Sequence, residues 1–208
     1  MRSSWSDLFR TSLFKGNVSA SLSWQVLDEL FAAWPHVIAF AGILLTAAFT
    51  FATGAGSFAG LAIAVAALHL ALRCSGSLWY ARRANRQNPT FWINVFIVSA
   101  LFSGAAWGAS VTLLLYSAPA SGRYLILTVA CVIIQSATAR TFMAPLPLLG
   151  QTFLLMAQVV GASFHQGDWI IAPAAILFAA FQLVHMRSLI GFRQRQLQVE
   201  AEKDALLQ

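Results

Sequence analysis

A chain of 208 residues that is 59% hydrophobic and 10% charged falls far below the roughly one-quarter charged content of a soluble domain, which excludes a water-soluble fold. Helical bundles and closed β-barrels alone satisfy every backbone N–H and C=O inside lipid, and barrel strands alternate apolar and polar side chains over about 10 positions. Residues 37–51 are apolar or small on every side. The expected fold class is therefore all-α: a polytopic bundle of six transmembrane helices, with an N-terminal interfacial helix and a C-terminal cytoplasmic exit helix.

The net charge of +6 would suggest nucleic acid in a soluble protein. Here the basic residues fall between apolar stretches, so topology accounts for them and no nucleic-acid partner is expected. Cys74 and Cys131 are too few and too separate for a disulfide framework or metal site and read as free thiols.

Residues 1–34 form the first expected unit. Trp5, Leu8, Phe9 and Leu13 recur at helical spacing with polar residues between them, the pattern of a helix lying on the bilayer surface. A second stripe, Leu22, Val26, Leu30 and Phe31, runs towards Pro35. No short apolar core followed by a cleavage site precedes it, so the first span is expected to direct insertion.

The six spans occupy residues 35–186. Between Glu29 and Arg73 lie 43 residues without formal charge, enough for two spans of about 20 residues, and residues 53–57 (TGAGS) break them into a hairpin. The 36 residues between Arg86 and Arg123 hold a third span and a loop at 116–122. Arg123 to Arg140 encloses only 16 residues, about 24 Å of helix against a core of about 30 Å, so both arginines are expected to snorkel. The fifth and sixth spans flank a turn at 165–168.

Six crossings put the N-terminal segment, a basic loop at 73–89, the Arg140 region and the tail on one side. That side carries twelve of the 13 basic residues, against Arg123 on the other. Positive loops stay cytoplasmic, so both termini are expected inside. Trp34, Trp79, Trp92 and Trp169 sit near span boundaries, as an interfacial aromatic belt requires.

Residues 187–208 are rich in Arg, Gln, Glu, Leu and Ala without Pro, a continuous helix leaving the membrane. Phe192, Val199 and Leu206 repeat at seven beside mostly polar companions, a weak coiled-coil seam. With no Gly, Asn or Pro to close it, this helix is expected to continue into a soluble domain and to pair with a second copy.

Candidate sites follow from residues out of character with an apolar bundle. His36, His69 and His185 fall near the cytoplasmic ends of spans one, two and six, a depth agreement that admits haem or metal but fits structural hydrogen bonding better; no cofactor is expected. Arg140 either snorkels or contacts an anion or ligand. Gly104 and Gly108, beside Trp107, form a small-xxx-small packing pair. Pro145 and Pro147 interrupt the start of the fifth span and serve either structure or a hinge or cavity. Ser110 and Ser163 follow Gly-Ala pairs but lie away from the histidine of span six, and no carboxylate is embedded, so the chain is not expected to be an enzyme.

The segment 79–83 (WYARR) through Pro89, then Trp92, Gly104 with Trp107-Gly108, the prolines at 145 and 147, and the basic exit helix together resemble the MASE-like six-helix sensor regions of bacterial diguanylate cyclases and histidine kinases. The resemblance covers residues 23–208. It implies signal reception and transmission, with catalysis in a cytoplasmic output domain whose motifs occur nowhere in these residues. The alternative is a small transporter or membrane-integral assembly factor, with the interrupted fifth helix lining a path.

Overall fold

The computed structural model describes Trp24 and residues 27–83, 89–141 and 145–206. The interfacial stripe Trp5, Leu8, Phe9 and Leu13, with Leu22 and Val26, lies outside the described residues. All elements described are helices: α1 (Trp34–Ala52), α2 (Ala59–Arg83), α3 (Pro89–Ser117), α4 (Ala120–Thr141), α5 (Pro145–His165) and α6 (Ile171–Leu206). Among the described residues, six helices are long and apolar enough to cross a membrane. Their outward side chains include Leu45, Leu61, Leu68, Val98, Phe153 and Leu177, all more than half exposed. An apolar exterior of this extent belongs against lipid or a partner.

Two helix ends are closed by the same device. After α1, Gly54 at φ +71° lets its N–H reach Phe51 O while Ala55 N–H reaches Thr50 O. After α5, Gly167 at φ +80° donates to Phe164 O and Asp168 N–H donates to Ser163 O. Both are Schellman caps, in which a left-handed residue satisfies carbonyls the helix leaves unpaired.

The α3–α4 connection is shorter than the 116–122 loop read from sequence. Pro119 O accepts from the N–H groups of both Gly122 and Arg123, so helix resumes at Ala120 and Arg123 lies in the first turn of α4. At 22 residues, α4 is about 33 Å long, and it does not have the deficit that counting between arginines suggested. The basic segment is likewise helical: α2 runs to Arg83, which places Arg73 inside the helix and not in a loop. Apolar residues at 68, 70, 71 and 72 carry the helical pattern past the charge.

The short connections tie together at one end. Phe58 N–H donates to Ser117 Oγ at 2.9 Å, and Gln166 Nε2 donates to Leu115 O at 2.9 Å. At the opposite end the segment before α1 folds onto α2 and α3. Leu27, Leu30, Phe31, Tyr80, Trp92 and Phe96 form a buried cluster in which Phe31 stacks on Tyr80 at 4.3 Å, and Tyr80 Oη donates to Asp28 Oδ1 at 2.7 Å. Trp92, expected in an interfacial belt, is only 4% exposed; it is packed in protein by its aromatic neighbours. Trp34 and Trp169 remain exposed.

Half of the apolar window of α3 is buried in the bundle, against 17% for α6, so α3 is central and α6 peripheral. α3 and α5 approach each other closely. A Cβ on Gly104 would lie 2.7 Å from Gln151 Cα, and one on Gly108 would lie 3.1 Å from Leu155 Cα. Two glycines one turn apart let the backbones meet.

Candidate functional site

The polar groups withdrawn from the apolar exterior meet where α1, α2 and α3 pack. Pro35 stands in the first turn of α1, where a missing N–H costs nothing, and His36 follows it with 5% exposure. On α2, His69 and Arg73 are four residues apart and share a face. On α3, Ser99, Ser103 and Trp107 repeat the same spacing and turn towards them, while Gly104 and Gly108 turn towards α5.

Arg73 is the hub. Its Nε donates to His36 Nε2 at 2.9 Å, Nη1 donates to Ser99 Oγ, and Nη2 reaches Leu30 O at 3.5 Å. Ser99 Oγ in turn donates to Phe96 O at 3.1 Å, and the guanidinium lies 6.0 Å above the Phe96 ring. By accepting at Nε2, the His36 ring carries its proton on Nδ1.

His69 sits beside this hub in an aromatic cage. Its ring centroid is 5.6 Å from His36, 4.9 Å from Trp107 and 5.8 Å from Phe102. Both ring nitrogens are buried without a hydrogen-bond partner among the described residues. Such groups are uncommon in folded proteins and mark a site held at some cost in stability. A pocket of about 10 Å³ adjoins, lined by His36, Trp107, Ser136 and Gln151, room for about one water.

Of the three histidines aligned by depth, the structure brings together His36 and His69. His185 lies on α6, stacked on Phe181 at 5.8 Å. No group of three metal-ligating residues occurs among the described residues. Cys74 and Cys131 are free. Ser110 and Ser163 spend their hydroxyls on Ala106 O and Val159 O in their own helices.

Pro145 and Pro147 open α5 and do not interrupt it. In a first turn proline removes no helical hydrogen bond, so the two prolines start the helix where the sequence had them interrupt it. Pro147 is buried. The side chains of Arg140 and Pro145 lie outside the described residues.

A second polar contact joins α6 to the bundle. Gln182 Nε2 donates to Gln135 Oε1, and Gln182 Oε1 accepts from Thr138 Oγ1 at 3.0 Å. Sequence reading passed over these uncharged polar residues and placed Arg73 in a loop. The available signal was the pair His69 and Arg73, one turn apart in an otherwise apolar helix.

No family model, curated protein or solved structure matches this chain.

Proposed function

We propose that this chain is a membrane-embedded sensory and signal-transmission module that controls a cytoplasmic output, a diguanylate cyclase or histidine kinase of the kind its sequence resemblance implies. The observation that carries the reading is α6. It is a single helix of 36 residues that begins among apolar neighbours and continues through the basic, glutamine-rich tail. A helix unbroken across that change of composition transmits rotation or translation as a rigid body, and signalling needs such a two-state element.

The contacts of α6 suit the role. It is peripheral, held to α4 by the Gln135, Thr138 and Gln182 contacts, and few of its side chains are locked in the core. Its outer face, with Ile176, Leu177, Phe181 and Val184 exposed, is available to a second copy in a homodimer. In this reading the basic residues of the positively charged side other than Arg73 face the cytoplasm of a bacterial inner membrane, with both termini inside. The Arg73 cluster holds α1, α2 and α3 as the fixed half against which α6 moves.

The test is a chimera in which α6 continues in heptad register into a reporter cyclase or kinase domain. One residue inserted after Arg195 rotates everything beyond it by about 100° and is expected to change output several-fold. Seven inserted residues, about two turns, are expected to restore it. An output indifferent to register would rule out rigid-helix transmission.

A further inference from the structure

At the end of the bundle that carries the short connections, Arg123 in the first turn of α4 meets Asp168 before α6, Nη1 to Oδ2 at 2.5 Å. The pair forms the polar wall of a cavity of about 310 Å³, whose other walls include Tyr124, Leu127, Trp169 and Ile171. Tyr124 and Trp169 are 75% and 69% exposed, so the cavity opens between two aromatic side chains of the kind found at headgroup depth.

Two hydrogen-bonding positions remain on this pair. Arg123 Nε is buried without a partner among the described residues, and a buried guanidinium N–H calls for an acceptor. Asp168 meets Arg123 through Oδ2, and its second oxygen retains lone pairs for a donor. A cation short of an acceptor beside an anion able to take a donor is the complement of a zwitterion. The starts of α4 and α6 border the same cavity and add positive dipole ends, which favours phosphate as the anionic part. The remaining wall is apolar, which suits a molecule carrying hydrocarbon chains.

We propose that this cavity binds an aminophospholipid headgroup, its phosphate on Arg123, its ammonium on Asp168 and its chains along Leu127 and Ile171. Its assignment to the outer leaflet rests on the orientation proposed above; the site itself does not.

The protein is reconstituted with equal phosphatidylethanolamine, phosphatidylglycerol and phosphatidylcholine, extracted, and its retained lipid weighed by native mass spectrometry. Phosphatidylethanolamine is expected to exceed each of the others about tenfold, the scale of one charge-assisted hydrogen bond. Arg123→Gln should lower retention of all three, and Asp168→Asn should remove the preference over phosphatidylglycerol. Ala120→Trp fills the cavity while leaving both charged residues in the sequence and should abolish retention at unchanged helicity, which keeps the test sound if a charge variant misfolds. Equal retention of the three lipids, or retention unmoved by Ala120→Trp, would leave only annular lipid and overturn the proposal. Thermal stabilisation by free phosphoethanolamine equal to that by the lipid would overturn it too, by assigning the site to a soluble zwitterion. A chimera indifferent to α6 register would end the signalling reading and leave these retention values unchanged.

Discussion

Arg73 on α2 donates to His36 on α1 at 2.9 Å and reaches Ser99 on α3, so a single guanidinium joins three helices inside an apolar bundle. Such a bond is stronger than its counterpart at a wet surface, because low dielectric raises both its strength and the cost of losing it. Arg73→Met keeps much of the packing volume but leaves His36 Nε2 without this donor. The expected loss is about 2–3 kcal/mol, read as a lower unfolding midpoint in detergent. An unchanged midpoint would show that the cluster does not hold the three helices together.

Gly104 offers a contrast within one residue type. A side chain there meets the Gln151 backbone at 2.7 Å, and backbone does not yield as a rotamer does. Gly104→Ala is expected to separate α3 from α5 and cost about 1–3 kcal/mol. Gly76 on α2 has nothing within 4 Å of a Cβ, so Gly76→Ala is expected to be neutral or stabilising by up to about 1 kcal/mol. Parallel thermal melts of the two variants decide the matter; equal effects would contradict the close approach.

Gln182 and Gln135 supply a measurable link between α6 and α4. Hydrogen bonds between membrane helices average about 0.6 kcal/mol with a maximum near 1.7. A double-mutant cycle with Gln182→Leu and Gln135→Leu should return a coupling of about 1 kcal/mol within that range. Additive single effects would mean that the two amides do not act as a pair.

Gly167 fixes where Asp168 stands. At φ +80° a Cβ is strained although nothing crowds it, so Gly167→Ala is expected to cost about 1 kcal/mol. Gly161, inside the α5 helix that Gly167 caps and with open space around it, is the control, and Gly161→Ala should not destabilise. If both substitutions left the melting temperature alone, the left-handed cap would be of no consequence.

Composition and periodicity determined much of this protein without any coordinates. The apolar stretches, the glycines at 54 and 56 and the turn at 165–168 specify six helices and where most of them reverse, because in lipid a chain must satisfy its backbone hydrogen bonds locally. Where charge was used as punctuation, the reading failed. Arg73 and Arg123 were taken as span boundaries, yet both lie within helices, since a helix ends where its hydrogen bonding is closed and not where a charge occurs. Likewise Pro145 and Pro147 open α5, because a proline breaks a helix only where an N–H was needed. What tertiary structure alone decided is which residues face one another. His36 meets His69 while His185 does not, Gly104 meets the backbone of α5, Gln182 meets Gln135, and Arg123 meets Asp168. Depth in a span can be counted along the chain, but the rotation of each helix and its choice of neighbours follow from side-chain packing across the bundle, which one-dimensional spacing does not contain.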